Sequence, residues 1–330
     1  MGSTKYSCSV IEKFCLDAFE KIGFTSSQSR IITDVLLMSD IYGIESHGVQ
    51  RLVRYHKGIQ KGMIKVDAVP ETLFETPVTA VIDAHEGMGQ LVGNAAMDKA
   101  IEKAQTSGIG IVSVRNSNHY GIAGYYAKKA SDKGLIGLSM TNSEAIMVPT
   151  NGRLAMLGSN PIAIAMPAKP IPFLFDASTT VVTRGKLELY NKMGKPLPEQ
   201  WALDEHGNAT TDASRVLENI VSKKGGGIMP LGGISEESGS HKGYGYAMIC
   251  ELFTSILSMG LTSNKAMQNN HGGICHAFIA INPSFFGDPD LIFDHMSVFL
   301  NELRDSPKAD GKARIYTHGE KEMEARQDRL

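Results

Sequence analysis

The chain has 330 residues, 42% hydrophobic and 21% charged, the make-up of a folded protein with room for two or three domains rather than of a disordered one. Its 33 Lys and Arg against 35 Asp and Glu leave a net charge of −2, so no broad basic field serves nucleic acid or an anionic membrane, and a small-molecule partner is expected. Cys8, Cys15, Cys250 and Cys275 form no C-x-x-C pair and are too few for a disulfide framework, which fits a reducing, cytoplasmic setting.

The first residues, Met1 to Ser7, lack the apolar run of a secretion signal, and Tyr6 stands where a myristoylation signal carries Ser or Thr. No stretch of about 18 uncharged apolar residues exists to span a bilayer. The best candidate, Gly243 to Gly260, is broken by Glu251, and a soluble protein is expected.

Roughly the first 65 residues read as three helices. Ser9 and Glu12 form a capping box for a helix carrying Ile11, Phe14, Ala18 and Ile22, which Gly23 ends. Thr25 and Gln28 cap a second, with Ile31, Val35 and Met38 inward and Gly43 as its stop. The third runs from an N-cap at Ser46 to Gly62. On its wheel Val49, Leu52, Val53, His56 and Ile59 share a core face, while His47, Arg51 and Tyr55, four apart, share the other. An imidazole one turn from a guanidinium suits a small carboxylate bearing a carbonyl or hydroxyl: the fork grips the carboxylate, and the imidazole gives or takes the proton next to it. The plain alternative is two side chains pointing into water.

After Pro70 strand and helix alternate, the pattern of an α/β body. Strands are predicted at Val78 to Ile82, Gly110 to Val114 and Leu135 to Thr141, with helices at Leu91 to Gln105 and Ile122 to Ser131. Gly87-Met88-Gly89-Gln90-Leu91-Val92-Gly93 is similar to a glycine-rich dinucleotide loop. Its link to the preceding strand is too long, however, and the next strand ends in Val114-Arg115-Asn116 without an acid for a ribose, so a tight turn with close helix packing is the default.

Arg115-Asn116-Ser117-Asn118-His119-Tyr120-Gly121 lies between a buried strand and a helix, at the edge where α/β proteins put ligands. Polar clusters recur at Thr141-Asn142-Ser143, at Gly158-Ser159-Asn160-Pro161 before the strand Ile162 to Met166, and at Asp176-Ala177-Ser178-Thr179 after Phe173-Leu174-Phe175. A carboxylate such as Asp176 at a strand end can hold a ribose diol, orient an imidazole, or cap the next helix.

Gly185 to Gly227 reads as a polar, irregular excursion. Ser240-His241-Lys242-Gly243-Tyr244-Gly245 looks like a helix entry with two potential cations at the positive end of its dipole, where a phosphate would be comfortable; an ordinary capped helix is the competing reading. His271 and Cys275-His276 match no zinc spacing, and Ile274 to Ile279 alternates like a strand, so no metal is expected. A helix at Ile292 to Leu303 and a charged tail close the chain.

Ser46-His47-Gly48 with Arg51, Asn116 to Gly121, Gly158 to Pro161, Asp176-Ala177-Ser178, Gly185-Lys186, Pro230-Leu231-Gly232 and His241 to Gly245 together resemble the type 2 malate/L-lactate dehydrogenase family, in order, from about residue 7 to about 320. The resemblance implies a non-Rossmann NAD(P)-binding α/β fold, with a mixed, largely antiparallel sheet flanked by helices and a helical N-terminal domain. The division expected is 1–65 with 290–330 as the helical domain, 66–140 with 225–289 as the cofactor domain, and 141–224 as the cleft domain. It further implies a homodimer, NAD or NADP as cofactor, and a small 2-hydroxy or 2-oxo acid as substrate.

Carried over by position, His47 resembles the proton donor or acceptor, Arg51 the carboxylate clamp, and His119 a second histidine for proton transfer, with Ser46 and Tyr55 beside the substrate. Asp176 would orient His47 or touch the cofactor, and Ser143, Ala177, Ser178, His241 and Lys242 resemble cofactor contacts. Gly319 and Glu320 match the family's Pro-Gly-Glu, with His318 in place of the proline. The expected activity interconverts a 2-hydroxy acid and a 2-oxo acid, malate/oxaloacetate or L-lactate/pyruvate. The alternatives are a C=N reductase of a cyclic imino acid and a non-catalytic nucleotide-binding homologue.

Overall fold

The computed structural model describes residues 6–268 and 271–330. Helices α1 (Cys8–Ile22) and α2 (Ser26–Ile41) pack together, and their core side chains Cys15, Phe19, Ile32 and Leu36 meet Tyr55 and Met88. The Thr25/Gln28 capping box forms as predicted, whereas the Ser9/Glu12 box does not: Ser7 holds the cap position, and the Ser9 hydroxyl, already inside α1, bonds that of Ser7.

The predicted third helix is interrupted. Residues Glu45–His47 and Val49–Arg51 form two separate 3₁₀ turns, and only Leu52–Gln60 is α-helical (α3). Gly48 between them is extended, with the Asp40 carboxylate accepting from the Val49 amide at 2.8 Å, and a Cβ on Gly48 would overlap that carboxylate. This break shifts the helical phase. Val53 and His56, assigned to the core face, are exposed, while Tyr55, placed on the other face with His47 and Arg51, is fully buried.

The body is a seven-stranded sheet: β1 (Glu71–Glu75), β2 (Thr79–Asp83), β3 (Ile109–Ser117), β4 (Ile136–Thr141), β5 (Ile162–Met166), β6 (Phe173–Ala177) and, far along the chain, the strand Ile274–Ile281. That last strand lies between β3 and β4, so the spatial order is β1, β2, β3, Ile274–Ile281, β4, β5, β6. Only β2 and β3 pair in parallel; every other neighbour is antiparallel, as the family resemblance implies. Edge strand β1 was not read from the sequence, because its side chains all face water and leave no apolar alternation.

Helices α4 (Gly89–Ser107) and α5 (Ala123–Ser131) cover one face, with the inward residues Val112, Val114, Ala163, Ala165, Phe278 and Ala280. Close approach is built in: a Cβ on Gly110 or Gly137 would run into a helix carbonyl, of Ala100 or of Ala127.

The polar excursion of 185–227 is ordered. It contains α6 (Arg184–Lys192), α7 (Ala213–Ser222) and a two-stranded ribbon of β7 (Ala202–Leu203) and β8 (Gly227–Ile228), around a core of Leu187, Leu197, Val216 and Ile220. The signal was Val216, Leu217 and Ile220 at helical spacing behind an Asp212 cap, overlooked among flanking glycines, prolines and charges.

Helix α8 (Ser240–Glu251) runs on into a π-helical turn at Leu252–Ile256 and lies on the opposite sheet face, where Cys250 and Phe253 meet Met140 and Ala277. Ile274–Ile281, now β9, is followed by α9 (Pro289–Asp305), and the charged tail is helix α10 (Glu320–Arg329). All four cysteines are free, and no helix among the described residues is long and apolar enough to cross a membrane.

Candidate active site

Strand direction puts the polar clusters on one edge. Because β3 and β4 both run antiparallel to the β9 between them, and β5 and β6 alternate beyond, the ends of β3, β4 and β6 and the start of β5 share one side of the sheet. A cavity of about 760 Å³ opens there, walled on its other side by the 3₁₀ turns and α3.

Its lining brings together Ser46, His47, Arg51, Tyr55, His119, Ser143, Asp176, Ala177 and Ser178. His241, Lys242, Gly319 and Glu320 are not brought to it. The first two are exposed in the first turn of α8. Glu320 is buried among Arg304, Arg314 and Thr317, which hold its carboxyl down to about 2 despite burial, and Gly319 starts α10 against the backbone of Pro172 and Leu174.

Each imidazole has one nitrogen engaged. His47 Nδ1 meets Ser46 Oγ at 2.8 Å, and His119 Nδ1 meets the Tyr55 hydroxyl at 2.7 Å. The Gly121 amide also points at His119 Nδ1, at 3.4 Å; an amide only donates, so Nδ1 accepts and the neutral ring carries its proton on Nε2. The rings stack with centroids 5.5 Å apart. Burial, with the Arg51 and Arg54 cations, lowers His47 to about 4, and burial with Arg54 takes His119 well below the usual imidazole range. Both rings are neutral at neutral pH.

Arg51 spends only its Nε, on the Ser46 carbonyl at 2.5 Å, leaving the terminal fork free. Asp176 accepts from the Gly124 amide at the start of α5 at 2.6 Å; burial pushes it up to about 6, and none of its hydrogen bonds reaches His47. Its helix-capping role is therefore the one its contacts display.

The Gly87–Gly93 segment packs rather than cradles. Gly89 opens α4 against the carbonyls of Asn118 and His119, where a Cβ would overlap both. His276 has both ring nitrogens occupied, by Thr141 at 2.8 Å and Ser117 at 2.9 Å, and stacks on Tyr120; among the described residues no cluster of three acids, histidines or cysteines is placed to hold a metal.

Sequence reasoning missed Arg54 and Arg184, both in the wall. Arg54 was legible only as the third residue after Arg51, on the same helical side. Arg184 pairs with Glu144 and Glu188, each at 3.1 Å.

A family model described as malate/L-lactate dehydrogenase matches residues 6–330. The chain belongs to that family. Malate dehydrogenase of Pyrococcus abyssi is 44% identical over 319 residues, covering 96% of this chain and 86% of that protein. L-Sulfolactate dehydrogenase of Methanocaldococcus jannaschii is 37% identical over 307 residues, 91% of this chain and 84% of that one. Among solved structures, malate dehydrogenase from Entamoeba histolytica superposes with a TM-score of 0.96 at 36% identity, covering 99% of this chain and 92% of that one. The malate/L-lactate dehydrogenase family member described here is an oxidoreductase acting between hydroxy and oxo acids, which sets aside the non-catalytic alternative. It therefore uses a nicotinamide cofactor. The wall fits one in chemistry: the hydroxyls of Ser143, Ser159 and Ser178 line the cavity and can hydrogen-bond its polar groups.

Proposed function

We propose that this protein interconverts malate and oxaloacetate with NAD or NADP, with His47 moving the proton and Arg51 gripping the carboxylate beside the reacting carbon. The observation that carries the reading is the convergence of two neutral imidazoles and a free guanidinium fork on one cavity. The nicotinamide supplies or accepts the hydride when bound.

In the oxidation direction His47, neutral at working pH, takes the hydroxyl proton. Ser46 Oγ, able to donate or accept, follows either state of the ring. His119, with its proton on Nε2, donates to the same substrate oxygen and stays neutral. Docking of a carboxylate on Arg51 offsets one of the charges that depress His47, so the ring holds the proton better once substrate is in place. Ser143, Ala177 and Ser178 are proposed cofactor contacts.

Steady-state kinetics with oxaloacetate test the roles. His47→Ala is expected to lower kcat about a hundredfold to ten-thousandfold with little change in KM. Arg51→Ala raises KM, and unaltered kinetics in either variant overturns its assignment. Substitution of His119 abolishing the pH dependence of kcat/KM instead would transfer the proton to that ring.

The homodimer implied by the family is part of the same proposal. Exposed apolar side chains along α8 and the π turn, Tyr246, Ile249, Leu252 and Ile256, support association with a second copy.

A further inference from the structure

Two guanidinium groups reach the cavity from one stretch of chain, and Arg51 accounts for only one carboxylate. Arg54 lies three residues on and therefore on the same side of the helix. Among the described residues it makes no hydrogen bond or ion pair: the charges around it are Arg51, Arg184 and Glu144, and Glu144 is already engaged by Arg184 at 3.1 Å. A guanidinium in a cavity wall without an acid of its own is open to an anion from outside that completes it. Its planar fork suits a carboxylate or sulfonate.

We propose that Arg54 holds the second acid group of the substrate, so that the cavity selects 2-hydroxy acids with an anionic group at each end. This rests on the reading of Arg51 as the clamp for the carboxylate next to the reacting carbon. The two arginines then fix both ends of a short chain and present its C2 to the histidine pair, an orientation that a monoacid held at one end lacks. A cofactor phosphate is the other anion within the chemistry of this group, and the kinetics separate the two.

The experiment compares oxaloacetate, which has two carboxylates, with pyruvate, which has one, in the full chain and its R54Q, R54K and R51Q variants. The oxaloacetate-to-pyruvate ratio of kcat/KM is expected to fall roughly ten- to hundredfold in R54Q, the loss of one charged hydrogen-bonded contact, and to recover in part in R54K. R51Q lowers kcat/KM for both acids. An equal loss on both substrates in R54Q, or a raised cofactor KM with the ratio intact, overturns the proposal. Titration calorimetry with malonate and acetate reads the same contact without turnover: wild type prefers malonate and R54Q loses that preference, whereas a wild type without it overturns the role. Preferential malonate binding in a protein that reduces neither oxo acid would keep the Arg54 contact and remove the dehydrogenase reading.

Discussion

His47 titrates near 4 because its ring is desolvated beside Arg51 and Arg54, and with His47 as the proposed proton carrier this low value gives the two reaction directions opposite pH dependences in the free enzyme. Oxidation needs the neutral ring, which is fully available above that pKa. kcat/KM for the hydroxy acid is therefore expected to stay level from about pH 8 to about pH 5 and to fall below. Reduction needs the protonated ring, so kcat/KM for the oxo acid rises as pH drops, by about tenfold per unit across the same range. Initial rates in both directions check this, and a bell centred on neutral pH in either direction rejects a ring titrating so low. At this scale the sequence was legible where spacing carried meaning: His47 and Arg51 are four apart, and both reached the cavity. Arg54 offered only its place three residues after Arg51, since an arginine without a partner looks like any surface charge until its surroundings are known.

The elements hold these side chains through backbone packing rather than through the motifs themselves. Gly89 is the clearest case, pressed against the carbonyls of Asn118 and His119, so that α4 and the histidine loop fix each other. Gly89→Ala is expected to destabilise the fold by about 1–3 kcal/mol and to lower kcat by displacing His119. Urea unfolding and single-turnover kinetics on the same variant check both effects, and a stable, fully active variant would show that the loop does not depend on this contact. Most regular elements could be read from periodicity: β5 matches residue for residue, and α4, α5 and β4 to within two. Failures came where tertiary contacts override the pattern. The helix read from Ser46 breaks at Gly48 because the Asp40 carboxylate, nine residues before Val49, competes for its amide. Beyond Gly185, local turn chemistry masked α6 and α7, whose core closes only against Ile146 and β8.

At the scale of the whole molecule, strand order does what no single motif could show. The polar clusters after β3, β4 and β6 were separate signals along the chain, and only the alternation of directions across β9 gathers them on one edge. The apolar row on α8 remains uncovered within one chain. Charging it in a Tyr246→Glu, Ile249→Glu double variant is expected to halve the mass seen by size exclusion with light scattering; a wild type that already runs as a monomer overturns the dimer.

The position of β9 also bears on how the protein is made. Its neighbours β3 and β4 are complete by residue 141, yet the strand that joins them begins at residue 274. Until then a nascent chain carries two half-sheets with unpaired inner edges, a state prone to mispairing and slow to resolve because the closing contacts are so distant in sequence. Synthesis of the last sixth therefore governs when the candidate catalytic edge comes into existence, and a ribosome stalled before it leaves every residue named in the cavity wall translated but unassembled.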